Sequence, residues 1–233
     1  MKIFSYILSL TLIVCLFSCK KDNYAAPSSQ LSGGLTYKGD SIGVEYTRVP
    51  FQIYQYGFGK VGAINGTFEQ NGSFHSLLFD GNYKFIVPNG QGPFLWKQTP
   101  SGDPDSLSIT VKGNQNLDIE VIPFYMIRNP QIAASGGNVS ATFKAEKIIM
   151  DSANAKDIER VSLYINRTQY VSGTDNIAVT DLAGNSITDP NNIVLTVTIP
   201  AIVPTQNYVF ARIGIKIAGV EDMIFSPLQK ISF

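Results

Sequence analysis

The stretch Ile193-Val194-Leu195-Thr196-Val197-Thr198-Ile199 decides the fold class. Ile193, Leu195, Val197 and Ile199 alternate with Val194, Thr196 and Thr198. A period of two places the first set on one face of an extended chain. The residues are mostly β-branched, which stiffens χ1 and favours the pleated conformation. The same alternation recurs along the chain. It is clean in Ser106-Leu107-Ser108-Ile109-Thr110-Val111 and in Asn116-Leu117-Asp118-Ile119-Glu120-Val121-Ile122. It returns in Val49 to Tyr54, Val139 to Phe143, Val161 to Ile165 and Tyr208 to Ile215. No long segment carries a helical period, and Ser152 to Arg160 reads as one short helical piece at most.

Turn signals separate these runs: Asn65-Gly66, Asn71-Gly72, Asp80-Gly81, Asn89-Gly90, Gly136-Gly137-Asn138 and Asp189-Pro190. Many short strands at this spacing imply an all-β chain of sandwiches. Pro123 stops the strand that ends at Ile122, and Arg128-Asn129-Pro130 reads as a turn. The expected organisation is two consecutive β-sandwiches, 31–122 and 123–233. Each has about the size of one such domain.

The N-terminus carries an address. Met1-Lys2 precedes an apolar run from Ile3 to Phe17. That run is short for a spanning helix, which takes about 20 residues, and suits an export signal. Leu16-Phe17-Ser18-Cys19 resembles a bacterial lipobox. The resemblance implies a signal peptide over 1–18, with lipid and acyl chains on Cys19. Several acyl chains anchor a protein firmly to a membrane. Residues 19–30 then read as a polar, Pro- and Ser-containing tether. Lys20-Lys21-Asp22-Asn23 resembles the short charged signals that carry Bacteroidetes lipoproteins to the cell surface.

The N-terminal half has a further grammar. Leu31-Ser32-Gly33-Gly34-Leu35 opens a strand, Gln70-Asn71-Gly72-Ser73-Phe74 turns into the next, and Leu78 to Phe85 turns again at Asp80-Gly81. Phe74, Phe79, Tyr83 and Phe85 are the expected core. This pattern resembles the carboxypeptidase-regulatory-like, or transthyretin-like, sandwich. Arg128 to Ile132 and Glu159-Arg160-Val161-Ser162-Leu163-Tyr164-Ile165-Asn166 follow it. The whole chain after the lipobox resembles the Bacteroidetes lipoprotein family called domain of unknown function 3823. That resemblance implies a transthyretin-like domain followed by a fibronectin- or immunoglobulin-like one. It also implies company with starch-utilisation-type glycan uptake systems, and supplies no catalytic residues.

Composition narrows the chemistry. Lys+Arg and Asp+Glu number 18 each, and 15% of residues are charged against an ordinary ~25%. A neutral chain without basic runs argues against nucleic acid, which needs clustered cations. Removal of Lys2 with the leader leaves 17 basic and 18 acidic residues, net −1. Cys15 leaves as well and Cys19 is acylated, so with one histidine, His75, zinc has no ligand set. His75 lies opposite Phe74 in a strand-like run, the position of a solvent-facing histidine. No G-x-S-x-G elbow marks a hydrolase. Gly57 to Gly62 spells G-x-G-x-x-G without the strand-to-helix setting of a nucleotide loop. Asp103 and Asp105 share a loop without the spacing of a calcium hand. No cofactor and no catalytic residue is therefore expected.

Aromatic side chains beside glycine-rich loops are the remaining signal. Sugars present C–H faces to aromatic rings, with hydrogen-bonding groups around the rim. Tyr56 and Phe58 border the first such loop, and Trp96, the only tryptophan, follows Asn89 to Pro93. They are the candidate glycan contacts, although Trp96 equally suits the plug of a sandwich. Asp40-Ser41-Ile42, Asp105-Ser106-Leu107 and Asp151-Ser152-Ala153 resemble Bacteroidetes O-glycosylation acceptors, making Ser41, Ser106 and Ser152 candidate sites. The expectation is a non-enzymatic, lipid-anchored outer-membrane protein at the cell surface, accessory to a glycan uptake system. Its partners would be a polysaccharide or oligosaccharide, or starch-utilisation-type transporter lipoproteins. The alternatives are an adhesin or pilus-like component, and a weak carbohydrate-active enzyme or its accessory domain.

Overall fold

The computed structural model describes residues 25–57 and 62–233. Cys15, Cys19, the leader, the first half of the tether and Phe58 therefore lie outside the described residues. The first half holds β1 (Ser29–Tyr37), β2 (Asp40–Ser41), β3 (Pro50–Gln55), β4 (Ala63–Thr67), β5 (Ser73–Leu78) and β6 (Gly81–Ile86). It continues with β7 (Phe94–Leu95), β8 (Leu107–Val111), β9 (Gln115–Asn116), β10 (Ile119–Glu120) and β11 (Ile122–Pro123). The second half holds β12 (Tyr125–Ser135), β13 (Asn138–Lys147), β14 (Ile158–Asn166) and β15 (Ala178–Ala183). It closes with β16 (Ile193–Thr198), β17 (Tyr208–Ile217), β18 (Ile224–Phe225) and β19 (Gln229–Ser232). Among the described residues the only helical turn is Gly184–Ser186.

In the first sandwich β1 is the spine of one sheet. It runs antiparallel to β5 and β2 and parallel to β9 and β10. The other sheet is β4-β3-β6-β8, antiparallel throughout. Between them lies an aromatic core. Phe51 stacks on Phe85 with centroids 5.0 Å apart, and Phe68 and Phe74 meet both rings. Phe79 is only half-buried, because in β5 the inward places fall to Phe74, Ser76 and Leu78; its carbonyl accepts the Tyr83 hydroxyl at 2.8 Å. Gly66 sits within β4, although Asn65-Gly66 reads as a turn. A Cβ there would come within 2.2 Å of the Phe51 ring, so glycine lets that ring lie across the strand.

The second sandwich packs β12-β13-β16 on β15-β14-β17, with β18 and β19 extending the latter sheet along β17. Its core is aliphatic: Val139, Ala141, Leu163, Ile165, Leu195, Val197, Val209 and Ile213 are buried. Arg128-Asn129-Pro130 is a β-bulge inside β12 and not a turn. Asn129 and Pro130 together oppose the single residue between Lys144 and Thr142, and Asn129 takes φ 50°. Proline has no N–H to give to the ladder, so the bulge is where it fits. The expected helical piece is absent too. Asp151 to Asn154 make one turn, tied by the Asp151 carboxylate to the Asn154 N–H at 3.0 Å, and Ile158 to Arg160 already pair in β14.

The tether ends earlier than expected, since Ser29 and Gln30 pair with Leu78 and Leu77. The two halves meet without a linker. β11 still pairs with β7, β12 begins two residues later, and the intervening Phe124 is buried.

Candidate functional site in the cleft between the domains

The site begins with a strand buried on both faces. Val209, Ala211, Ile213, Ile215 and Ile217 point from β17 into the second sandwich core. The opposite face, with Phe210, Arg212 and Gly214, is covered first from within the same domain, by Tyr164, Val171, Met223 and Phe225. The first sandwich then closes on top, where Gly43 and Phe225 exchange a β-bridge. A Cβ on Gly43 would lie 2.6 Å from the Phe225 carbonyl oxygen and 2.8 Å from Arg212 Nη2, so only glycine admits this approach.

Arg212 stands at the centre and is 1% exposed. Its Nε donates to the Ser226 carbonyl at 3.0 Å, and Nη1 donates to Val44 and Val171 at 3.2 and 3.4 Å. Nη2 donates to the Gln70 carbonyl at 2.7 Å. Two of these carbonyls belong to each domain. The guanidinium also lies 4.5 Å from the Phe225 ring centroid, a cation–π contact. Burial lowers its pKa to about 9, opposed by the charge of Glu45, and the group stays charged at neutral pH. The charge is thus held by main-chain dipoles rather than by a hydrogen-bonded carboxylate. Around it, Gly92 N–H donates to buried Asp222 at 2.7 Å, and Asp40 pairs with Arg128 across the boundary.

Outside Arg212 a cleft of about 600 Å³ opens between the domains. Ser41, Glu69, Gln70 and Asn71 line it from the first sandwich; Gln169 and Tyr170 line it from the second. Gln70 Nε2 donates to the Gln169 carbonyl at 2.9 Å, while its Oε1 is buried with no partner. Tyr170 is 40% exposed and meets Tyr46 at 4.8 Å between ring centroids. Tyr170 and Glu69 beside it hold the Tyr46 hydroxyl above the usual phenol range, so it remains a neutral donor. Aromatic faces next to amide, hydroxyl and carboxylate groups are what a saccharide requires, with apolar contact below and directional bonds at the edge.

The expected glycan residues do not gather here. Trp96 is in the core and not on a surface. It is 9% exposed, packs 6.2 Å from Phe85, and gives its indole N–H to the Asp105 carbonyl at 2.7 Å. Little of the ring is open, although it edges two hollows of about 250 and 550 Å³. Tyr56 is 62% exposed and borders a separate hollow of about 370 Å³ with Asn82, Lys84, Ser108 and Thr110. His75 is exposed on β5. Ser41 and Ser152 are exposed, while Ser106 is half-buried. In the 101–105 loop, Ser101 donates to Asp103, and no cluster of three metal-ligating side chains occurs among the described residues. The cleft residues went unread because Tyr46, Glu69, Gln70 and Tyr170 lie in separate loops that only domain packing brings together.

The molecule is thus a pair of directly joined β-sandwiches with a polar, tyrosine-bearing cleft at their seam. Two family profiles match it: the N-terminal domain of DUF3823, a protein of unknown function, over residues 29–122, and DUF3823_C, a domain of unknown function, over 125–230. The chain belongs to the DUF3823 family. It is similar to the DUF3823 family protein of Parabacteroides merdae ATCC 43184, at 29% identity and TM-score 0.77, covering 89% of this chain and 100% of that one. The family protein of Bacteroides ovatus ATCC 8483 is similar at 27% identity and TM-score 0.75, covering 88% and 99%. A Bacteroides uniformis ATCC 8492 protein called a "putative carbohydrate binding protein" shares the fold at 16% identity and TM-score 0.66, covering 89% and 100%. No curated protein matches the chain.

Proposed function

We propose that this protein is a non-enzymatic glycan-binding lipoprotein, anchored through Cys19 in the outer membrane and exposed at the cell surface. It serves as an accessory of a starch-utilisation-type uptake system and holds saccharide in the cleft between its domains. The observation that carries this reading is the cleft itself, where Tyr170 stands beside Glu69, Gln70 and Asn71. The cleft lining supports a binding role over hydrolysis, because it offers one carboxylate residue, Glu69, where glycoside hydrolysis uses a pair. The name given to the Bacteroides uniformis protein of the same fold points in the same direction.

The test is calorimetric titration of the two-domain chain, Lys20 to Phe233, with a panel of oligosaccharides. Binding is expected, and Tyr170→Ala should weaken it by roughly tenfold or more with unchanged thermal stability. Binding that persists in Tyr170→Ala but is lost in Tyr56→Ala moves the site to the hollow beside Tyr56. No binding across the panel removes the glycan-holding role.

A further inference from the structure

We infer that the cleft between the domains takes neutral, hydroxyl-rich saccharides and discriminates against uronates and sulfated sugars. This rests on the glycan-binding reading above. Among the described residues the one cation in the cleft lining, Arg212, gives four of its five N–H bonds to main-chain carbonyls, and the single N–H left on Nη2 cannot form a two-pronged fork. A guanidinium reads a carboxylate or sulfate by presenting parallel N–H groups to it. In Arg212 the Nε, Nη1 and Nη2 groups all donate to main-chain carbonyls, from Ser226, Val44, Val171 and Gln70. Turning them to a ligand would strip the buried carbonyls of their donors, a cost of about 1–3 kcal/mol for each group left unsatisfied. No lysine lines the cleft among the described residues.

The other charges there are negative. Glu69 lines the cleft, and Glu45, which accepts from Thr174 Oγ1 at 3.3 Å, lies behind it near Arg212. The hydrogen-bonding capacity is biased the same way. An ionised carboxylate only accepts, so Glu69 calls for donors. Gln70 Oε1 is an acceptor without a donor. Sugar hydroxyls supply donors, whereas carboxylates and sulfates bring only more acceptors and a repelled charge. The Tyr170 face carries the partial negative charge of a π system and serves the C–H side of the sugar ring. Selection is therefore made by the rim.

The experiment titrates Lys20 to Phe233 with neutral hexaoses (malto-, cello- and mannohexaose) and with hexagalacturonate, at low and high salt. A neutral hexaose should bind with little salt dependence. Hexagalacturonate should bind more weakly, least of all at low salt where repulsion is unscreened. Glu69→Gln should raise hexagalacturonate affinity by roughly fivefold while leaving the fold intact. Hexagalacturonate binding that is tighter than neutral binding and falls with salt overturns the selectivity while upholding the glycan-binding role. An unchanged hexagalacturonate affinity in Glu69→Gln also overturns it. Failure of every saccharide to bind overturns the glycan-binding reading, and this inference with it.

Discussion

The two sandwiches fill their cores differently. The first relies on rings: Phe51, Phe68, Phe74, Phe85 and Trp96 in one connected cluster. The second relies on aliphatic ladders from the long strands β13, β14 and β17. Strand length explains the contrast. β3, β5 and β6 have six residues each, so few inward positions exist and each must fill much space. β17 has ten residues and five inward positions, and small β-branched side chains suffice. A core of few large groups concentrates its stability, whereas a ladder spreads it.

The largest expected effect tests that concentration. Phe85→Ala should destabilise the protein by about 3–5 kcal/mol, read from urea unfolding; a loss near 1 would show that the ring cluster can collapse around the gap. Arg212→Ala comes next, at about 3 kcal/mol, because carbonyls of both domains lose their donor. It should also split one calorimetric transition into two, and an intact single transition would mean that the halves are coupled by their apolar contacts alone. Ile213→Val should cost only about 1 kcal/mol, which a denaturant midpoint resolves, since its neighbours along the ladder share the load.

The smallest effects are carried by two carboxylates of opposite sign. Asp80 at the edge of the first sandwich accepts from the Ser29 hydroxyl and the Gly113 N–H, which hold its pKa below its ordinary 3.8. Its contribution is present above that value and is lost as pH falls through the depressed one. Burial raises Asp222 at the seam above 3.8, against the opposing Gly92 N–H bond. Its ionised form is worse off in the fold, so this group favours folding more as pH falls through the raised value toward 3.8. Asp222→Asn should therefore raise the melting temperature at pH 7 and flatten that part of the pH profile, with Asp80→Asn lowering it. The reverse order would show that the Gly92 bond outweighs burial.

Much of the fold was legible locally. Most runs of period two became strands, including Ile193 to Thr198 and Leu107 to Val111, whereas Asn116 to Ile122 broke into three two-residue pieces. Errors fell where a local signal met a tertiary demand. Asn65-Gly66 looks like a turn, yet its glycine makes room for Phe51. Arg128 to Pro130 looks like a stop, yet the long partner strand β13 carries the pairing past it as a bulge. Trp96 follows a glycine-rich loop, yet the first sandwich needs its ring at the base of the core. The cleft was less legible than the strands, because the turn at Gln70-Asn71-Gly72 carries no local sign that it faces Tyr170 of the other domain.

By itself the sequence determined the all-β class, the positions of many of the strands and the hydrophobic face of each of those. Alternation is a local property, and water acts on it wherever one side of a strand is covered. What it left open was whether the other side is covered too. In Tyr208 to Ile217, alternation alone does not show whether the side bearing Phe210, Arg212 and Gly214 is covered. Only the docking of the first sandwich closes over that face, brings the Val44 and Gln70 carbonyls to the guanidinium and forms the cleft beside it. Those contacts join residues up to 168 positions apart, a range that no local pattern encodes.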